Sequence, residues 1–269
     1  MRRPPPPKGA VVLIGGAEDK SGERQILKAI ARRACAGPLV ICTAGSSIPE
    51  EIFEIYRDVF RALGVRRVSH APIPNRENAD DAGIAEAVRT AKAFFFTGGD
   101  QLRITSAISG SRLHRAIVEL YQGGGAVAGT SAGASALGQT MPVSSQEDEH
   151  RVAAAWRLLP GLGLIPDVMV DQHFAQRGRM ARLIAGVTEN PRLLGIGINE
   201  DTALVWRRGE FEVIGAGAVY VVDASDVSGS NVGDPRGQSA ISAFDLRLHV
   251  LSAGDRFDAA ARRPISGLR

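Results

Sequence analysis

Apolar residues in this chain come in short unbroken runs, and the segments between them carry helical periodicity. Ala10 to Ile14 is a β-branched run that predicts a strand. Gly15-Gly16 follows, and then Glu23 to Ala34, where Ile26, Leu27, Ile30 and Ala34 share one helix face. The unit repeats. Leu39 to Thr43 predicts a second strand before a helix over Glu50 to Leu63, and a strand about Arg67 to Ala71 precedes a helix over Asp80 to Thr90. Ala93 to Phe96 runs into the loop Thr97-Gly98-Gly99-Asp100-Gln101. Helical segments over Leu102 to Ile108 and Arg112 to Gln122 lead to a fifth strand from Ala126. Strands that are apolar throughout are buried on both faces, so the expected fold class is α/β, a three-layer αβα arrangement around a mostly parallel sheet.

After Gly138 the pattern changes. Val143 to Arg151 is polar and lacks periodicity, and Val168 to Val170 predicts a short strand delivering Asp171-Gln172-His173-Phe174. Met180, Leu183, Ile184 and Val187 predict a helix within Arg177 to Val187, stopped by Pro191. Leu194 to Ile198 is a further strand, ending in Asn199-Glu200-Asp201-Thr202. Ala203 to Trp206, Phe211 to Ile214 and Ala218 to Val222 read as an antiparallel set, Ser225 to Gln238 as a surface loop, and Asp245 to Leu251 as one last strand. No repeat or linker divides the chain. Residues 9–269 are expected to form a single domain behind a disordered or polyproline II tail at residues 1–8.

Composition narrows the function classes. The 32 basic residues barely exceed the 29 acidic ones and aromatic content is 5%, which gives neither the positive field nor the stacking platforms of a nucleic-acid binder. Cys35 and Cys42 have no metal-ligand spacing and imply no disulfide scaffold. The apolar run after MRRPPPPKG is too short for a signal peptide, and nothing later approaches a membrane span, so the expectation is a soluble cytoplasmic protein with no membrane partner.

The fifth strand ends in Gly129-Thr130-Ser131-Ala132-Gly133, the G-x-S-x-G pattern of a nucleophile elbow. A serine on a sharp strand-to-helix turn needs small neighbours two positions away, and Gly129 and Gly133 supply them. In a parallel sheet the site lies at the carboxyl ends of the strands. His173 and the pair Glu200-Asp201 fall at that edge, so a base and a carboxylate stand near the serine as in a triad. Composition does not choose between Glu200 and Asp201. His173 is favoured over His70, His114, His150 and His249 because an apolar strand ends on Asp171-Gln172-His173. The backbone N–H of Ala132 is one natural oxyanion donor, and the Gly98-Gly99 loop is suited to supply the second. Arg177, Arg179 and Arg182 follow His173 closely, and paired arginines beside a nucleophile suit a substrate that carries carboxylates.

Five segments taken in order resemble the cyanophycinase group of the S51 serine peptidases, a family that also contains aspartyl dipeptidases. They are GGAEDK at Gly15 to Lys20, FFTGGDQLRI at Phe95 to Ile104, AGTSAGASA at Ala128 to Ala136, DQHFAQRGR at Asp171 to Arg179, and GIGINEDTA at Gly195 to Ala203. The resemblance implies a class I glutamine amidotransferase-like fold and a triad of Ser131, His173 and Glu200, with Gly99 and Ala132 at the oxyanion. It implies that Gln101, Asp171, Gln172, Arg177, Arg179 and Arg182 surround or bind substrate, that no metal or organic cofactor takes part, and that the protein is a homodimer. The implied substrate is cyanophycin, a polyaspartate with arginine in isopeptide linkage, from whose chain end β-aspartyl-arginine is released; other β-aspartyl peptides are the near alternative. Asp171 or the acidic run Glu147 to Glu149 would receive the guanidinium. A non-catalytic relative that binds an acidic peptide is a further alternative.

Overall fold

A computed structural model describes residues 7–144, 156–232 and 240–265. The first half alternates strand and helix: β1 (Ala10–Ile14), α1 (Gln25–Ala34), β2 (Leu39–Cys42), α2 (Pro49–Ala62), β3 (Val68–Ala71), α3 (Arg76–Ala79), α4 (Ala82–Arg89), β4 (Ala93–Phe96), α5 (Gln101–Ile108), α6 (Arg112–Gly123), β5 (Ala126–Thr130) and α7 (Ala132–Leu137). Then come β6 (Gly138–Ser144), β7 (Trp156–Pro160), β8 (Ile165–Asp171), α8 (Met180–Glu189), β9 (Leu194–Ile198), β10 (Thr202–Arg207), β11 (Glu210–Gly215) and β12 (Val219–Asp223). The last strands are β13 (Gly229–Ser230), β14 (Ala243–Phe244), β15 (Arg247–Leu251), β16 (Arg256–Asp258) and β17 (Arg263–Pro264).

Among the described residues the main sheet has nine strands in the order β17-β16-β11-β10-β1-β5-β4-β2-β3. Its β1, β5, β4, β2 and β3 are parallel, and β10 continues it antiparallel to β1. β1, β2, β4 and β5 are buried on both sides because successive side chains enter different cores, whereas β3, at the sheet edge, is only partly buried. Val12, Ile14, Ile41, Phe95 and Ala128 pack with Ile26, Leu27 and Ile30 of α1 and with Tyr56 and Phe60 of α2. Val11, Leu13, Phe94, Phe96 and Val127 face the other way, onto a core shared with Leu113 and Ile117 of α6. This is the α/β class with helices on both faces that the apolar runs predict.

The second half departs from the expectation. A second sheet, in the order β15-β12-β9-β8-β6-β7, contributes Ile165, Val168, Val170, Ile196 and Val219 to that same core. Its other face is covered by α8, where Leu183 and Val187 pack with Met169, Phe174 and Val222. The expected three-strand antiparallel set is therefore divided. β10 and β11 form a hairpin on the main sheet, whereas β12 pairs with β9 and β15 in the second. The short strand expected at Val168 to Val170 extends over Ile165–Asp171, β6, β7, β16 and β17 are additional, and the surface loop expected at Ser225 to Gln238 contains β13, paired with β14. The helix after His173 begins at Met180, preceded by a turn. The run Glu147 to Glu149 lies outside the described residues.

Close approach between β5 and α7 sets the geometry of the elbow. A Cβ on Gly129 would lie 2.5 Å from the backbone carbonyl carbon of Gly133, so these two glycines let strand and helix touch. Between them Ser131 adopts φ 54°, ψ −119°, a conformation that costs free energy for an L-residue and persists only because the packing around it holds it.

Candidate active site

Three consecutive carbonyls at the end of β1 hold the segments that carry the predicted triad. The Ile14 carbonyl accepts from the Ser131 N–H at 2.9 Å, the Gly15 carbonyl from His173 at 2.7 Å, and the Gly16 carbonyl from Asp201 at 2.9 Å. Ser131 follows β5, His173 follows β8 and Glu200 follows β9, so strands of two different sheets converge on one short stretch. Gly16 must stay bare there. At φ +101° a Cβ would stand 2.3 Å from the Cε1 of the His173 ring.

The side chains form a relay. Ser131 Oγ lies 2.9 Å from His173 Nε2, and His173 Nδ1 lies 2.6 Å from Glu200 Oε1. A carboxylate only accepts, so Nδ1 carries the proton and donates to Glu200. That leaves the Nε2 lone pair facing the serine hydroxyl, as a general base requires. Asp201, the alternative acid, turns elsewhere: its Oδ1 accepts from the Asp19 N–H at 2.9 Å. The backbone N–H of Ala132 opens α7 directly after Ser131, and the Gly98-Gly99 loop lies beside it, with a Cβ on Gly98 falling 3.3 Å from Ser131 Cβ.

The other histidines have local partners. His70 stacks on Phe53 at 4.3 Å with Nε2 2.8 Å from Thr43 Oγ1, and burial holds its pKa below the ordinary value. His114 Nε2 contacts the Leu162 carbonyl, and His249 packs edge-on against Phe257. His150 lies outside the described residues.

The remaining predicted residues are close at hand, and most of them touch one another. Asp171 is fully buried and carries both guanidinium groups. Arg179 Nη1 donates to Asp171 Oδ1 at 3.2 Å and to the Gln172 carbonyl at 2.7 Å, and Arg182 Nε donates to Asp171 Oδ2 at 2.6 Å. A buried carboxylate without such partners would cost several kcal/mol, roughly, so the arginines offset its burial and fix the strand end that presents Gln172 and His173. A substrate carboxylate at Arg179 or Arg182 has to share them with Asp171. Gln172 Oε1 accepts from Ser131 Oγ at 3.4 Å. The Gln101 amide donates to the Pro142 carbonyl at 3.0 Å, tethering the start of the β6–β7 hairpin, and Arg177 is exposed on the turn after His173.

Sequence reasoning quoted GGAEDK without giving its residues a role, yet the loop after β1 furnishes more of the site than the two glycine carbonyls. Glu18 is 3% exposed; it accepts from the Tyr56 hydroxyl and, at 2.6 Å, from Thr130 Oγ1, the side chain next to the nucleophile. Burial first, and then the Glu18 charge, push the Tyr56 pKa well above the phenol range, so Tyr56 stays a donor. The signal was available: an acid four residues beyond a buried strand falls at the carboxyl edge of the sheet. Beside Ser131 a cavity of about 540 Å³ opens, with Glu18, Tyr56 and the Gly98-Gly99 loop among its walls.

An α/β fold that presents a serine on a strained strand-to-helix elbow, hydrogen-bonded in series to a histidine and a carboxylate, has the architecture of a serine-type hydrolase. The profile of Peptidase family S51 matches residues 11–214. Cyanophycinase of Synechococcus elongatus is 38% identical over 255 residues, covering 93% of this chain and 79% of its own, and cyanophycinase of Geminocystis herdmanii is 36% identical over 267 residues, 97% of each. The chain belongs to peptidase family S51 and is a peptidase. Among solved structures, a peptidase from an acI-B1 actinobacterium superposes with a TM-score of 0.67 at 24% identity, over 93% of this chain and 96% of that one, which is a likeness of fold.

Two predictions follow from this geometry. Gly16→Ala forces a methyl group into the His173 ring, so kcat should fall at least about a hundredfold, the order expected when a catalytic group is displaced by about 1 Å, while circular dichroism shows the fold intact. Wild-type kcat would contradict the close approach. Asp19 accepts backbone N–H bonds from Arg24, Gly22 and Ser21, which hold its pKa down at about 2 against an ordinary 3.8. A group with a depressed folded pKa stabilises the fold above its unfolded pKa, and that contribution is lost as pH falls through the folded value. Asp19→Asn should therefore melt below wild type at pH 6, and the gap in Tm should close between about pH 4 and 2; a gap that is constant across that window would contradict it.

Proposed function

We propose that this peptidase hydrolyses cyanophycin through an acyl-enzyme on Ser131 and releases β-aspartyl-arginine from the chain end. The observation that carries the chemistry is the series Ser131 Oγ, His173 Nε2, His173 Nδ1, Glu200 Oε1 with steps of 2.9 Å and 2.6 Å at its two ends. The choice of substrate is supported by the names of relatives that are 36–38% identical over nearly the whole chain.

Ser131 Oγ attacks an aspartyl main-chain carbonyl, and its proton passes to His173 Nε2. The imidazolium is balanced by Glu200, which keeps the ring oriented and is itself never protonated. The oxyanion that forms receives the N–H groups of Ala132 and Gly99. Collapse of this intermediate breaks the C–N bond, and the departing amine takes the proton back from His173, leaving an ester on Ser131. Water then repeats the cycle: His173 removes its proton, the oxygen adds to the ester carbonyl, and Ser131 leaves with the proton returned. Every step moves one proton between oxygen or nitrogen and the same imidazole nitrogen, so the chemistry needs no metal or cofactor. The same reading carries a cytoplasmic location, and a homodimer supported by the likeness to the cyanophycinase group alone.

Turnover of cyanophycin and of a panel of α- and β-aspartyl dipeptides by wild type and Ser131→Ala tests the reading. Wild type should release β-aspartyl-arginine, and Ser131→Ala should lose at least about a thousandfold in kcat while still binding polymer. Cleavage of dipeptides with the polymer left intact would replace cyanophycin by another aspartyl substrate. Binding without turnover by wild type would sink the catalytic assignment.

A further inference from the structure

The cavity beside Ser131 has three charged side chains in its lining, and only one of them is uncommitted. Glu18 is occupied by Tyr56 and Thr130, and Lys20 Nζ stands 3.4 Å from its Oε1, so its charge is already balanced. Asp100 caps α5, its Oδ1 accepting from the Leu102 N–H at 2.7 Å. Arg103 is exposed on the first turn of α5. Among the described residues its guanidinium makes one hydrogen bond, a long one of 3.4 Å to the Ser46 carbonyl, and no carboxylate lies within ion-pair distance of it. Guanidinium has five donors in a fixed fork that matches a carboxylate.

We infer that this cavity is the leaving-group subsite and that Arg103 binds the free main-chain carboxylate of the unit being removed. The inference rests on the peptidase reading above and adds to it the residue that recognises a chain end. An enzyme that cuts only at an end must detect a group that interior residues lack, and in a peptide the terminal carboxylate is such a group. It lies within one residue of the scissile bond, about 3.5 Å of extended chain, so its receptor has to stand in a cavity that borders the nucleophile. Arg103 and Ser131 line the same one. A β-aspartyl-arginine unit carries two carboxylates, but every unit of the polymer keeps the one on its arginine branch, so only the main-chain carboxylate marks the end.

The test is kinetic. Wild type, Arg103→Gln and Arg103→Lys are assayed on a two-unit β-aspartyl-arginine peptide in three forms: both terminal-unit carboxylates free, the main-chain one amidated, and the branch one amidated. Removing a charge-assisted bidentate contact should raise KM about ten- to a hundredfold. Wild type should show that loss on the main-chain amide, Arg103→Gln should show it on the free acid with no further loss on that amide, and Arg103→Lys should recover part of it. A loss confined to the branch amide would place Arg103 on a carboxylate that every unit carries and overturn the inference. An Arg103→Gln enzyme with unchanged KM on the free acid, or one that loses equally on all three forms, overturns the inference. Because Arg103 is exposed, its variants should keep the wild-type Tm. If wild type cleaves none of the peptides, the substrate reading fails by itself. Calorimetric titration of Ser131→Ala and of Ser131→Ala/Arg103→Gln with free and amidated β-aspartyl-arginine then still decides on Arg103, whose loss should weaken only the free acid.

Discussion

The end of β1 is the constraint on which the rest of the site depends. Ile14, Gly15 and Gly16 offer their carbonyls in succession to Ser131, His173 and Asp201. One extended stretch of backbone thus fixes Ser131, His173 and the residue beside Glu200 relative to each other. Such bonds are worth about 1 kcal/mol each, but their value here is geometric. A base displaced by one ångström no longer shares a proton with its nucleophile, and the two side chains come from different sheets. Gly15 and Gly16 suit the task because both carry backbone against backbone or ring, and a Cβ on Gly15 would fall 2.0 Å from the Asn199 carbonyl oxygen.

The second requirement is strain held in place. Ser131 at φ 54° sits between Thr130, whose hydroxyl donates to buried Glu18, and Ala132, which starts α7. Glu18 is in turn bonded to Tyr56 of α2, so the loop after β1, the helix α2 and the end of β5 are joined in one hydrogen-bonded cluster beside the nucleophile. On the base's side Asp171, Arg179 and Arg182 do the equivalent work for the end of β8. The site is preorganised from both flanks, by buried charges that are paired with partners of fixed geometry.

The first half of this fold was legible because β1, β2 and β4 are continuous apolar runs and helices such as α1, α2 and α6 show a buried stripe, whereas β3, with Ser69 and His70 on the sheet edge, carries a weaker signal. Ala93 to Phe96 and Leu194 to Ile198 are strands with the expected bounds. The second sheet was not legible. β6 reads Gly138 to Ser144 as GQTMPVS, with polar residues and a proline on a strand where pairing to β7 and β8, rather than periodicity, supplies the stability. β12 shows the same limit: pattern marks it as a strand but cannot say which of two sheets it joins. Within the site, the residue types and strand-end positions of Ser131, His173 and Glu200 singled out side chains that are hydrogen-bonded in series. Asp171, Arg179 and Arg182 were visible as charged residues near a histidine. That they bind each other depends on the turn from His173 to Arg179, which no spacing rule fixes. Glu18 escaped notice since a buried acid in a glycine-rich loop looks like a turn residue until its partners Tyr56 and Thr130, distant in sequence, are beside it.

The direct measurement of the central claim is to inactivate the enzyme with a fluorophosphonate and locate the adduct by peptide mass mapping. A serine made nucleophilic by His173 and Glu200 in a strained elbow should take up one phosphonyl group per chain, on Ser131 alone, with activity lost in proportion to labelling. The same reagent should leave a His173→Ala enzyme unmodified over the same interval. Stoichiometric modification at a different residue, or full peptidase activity in a protein labelled at Ser131, would contradict it.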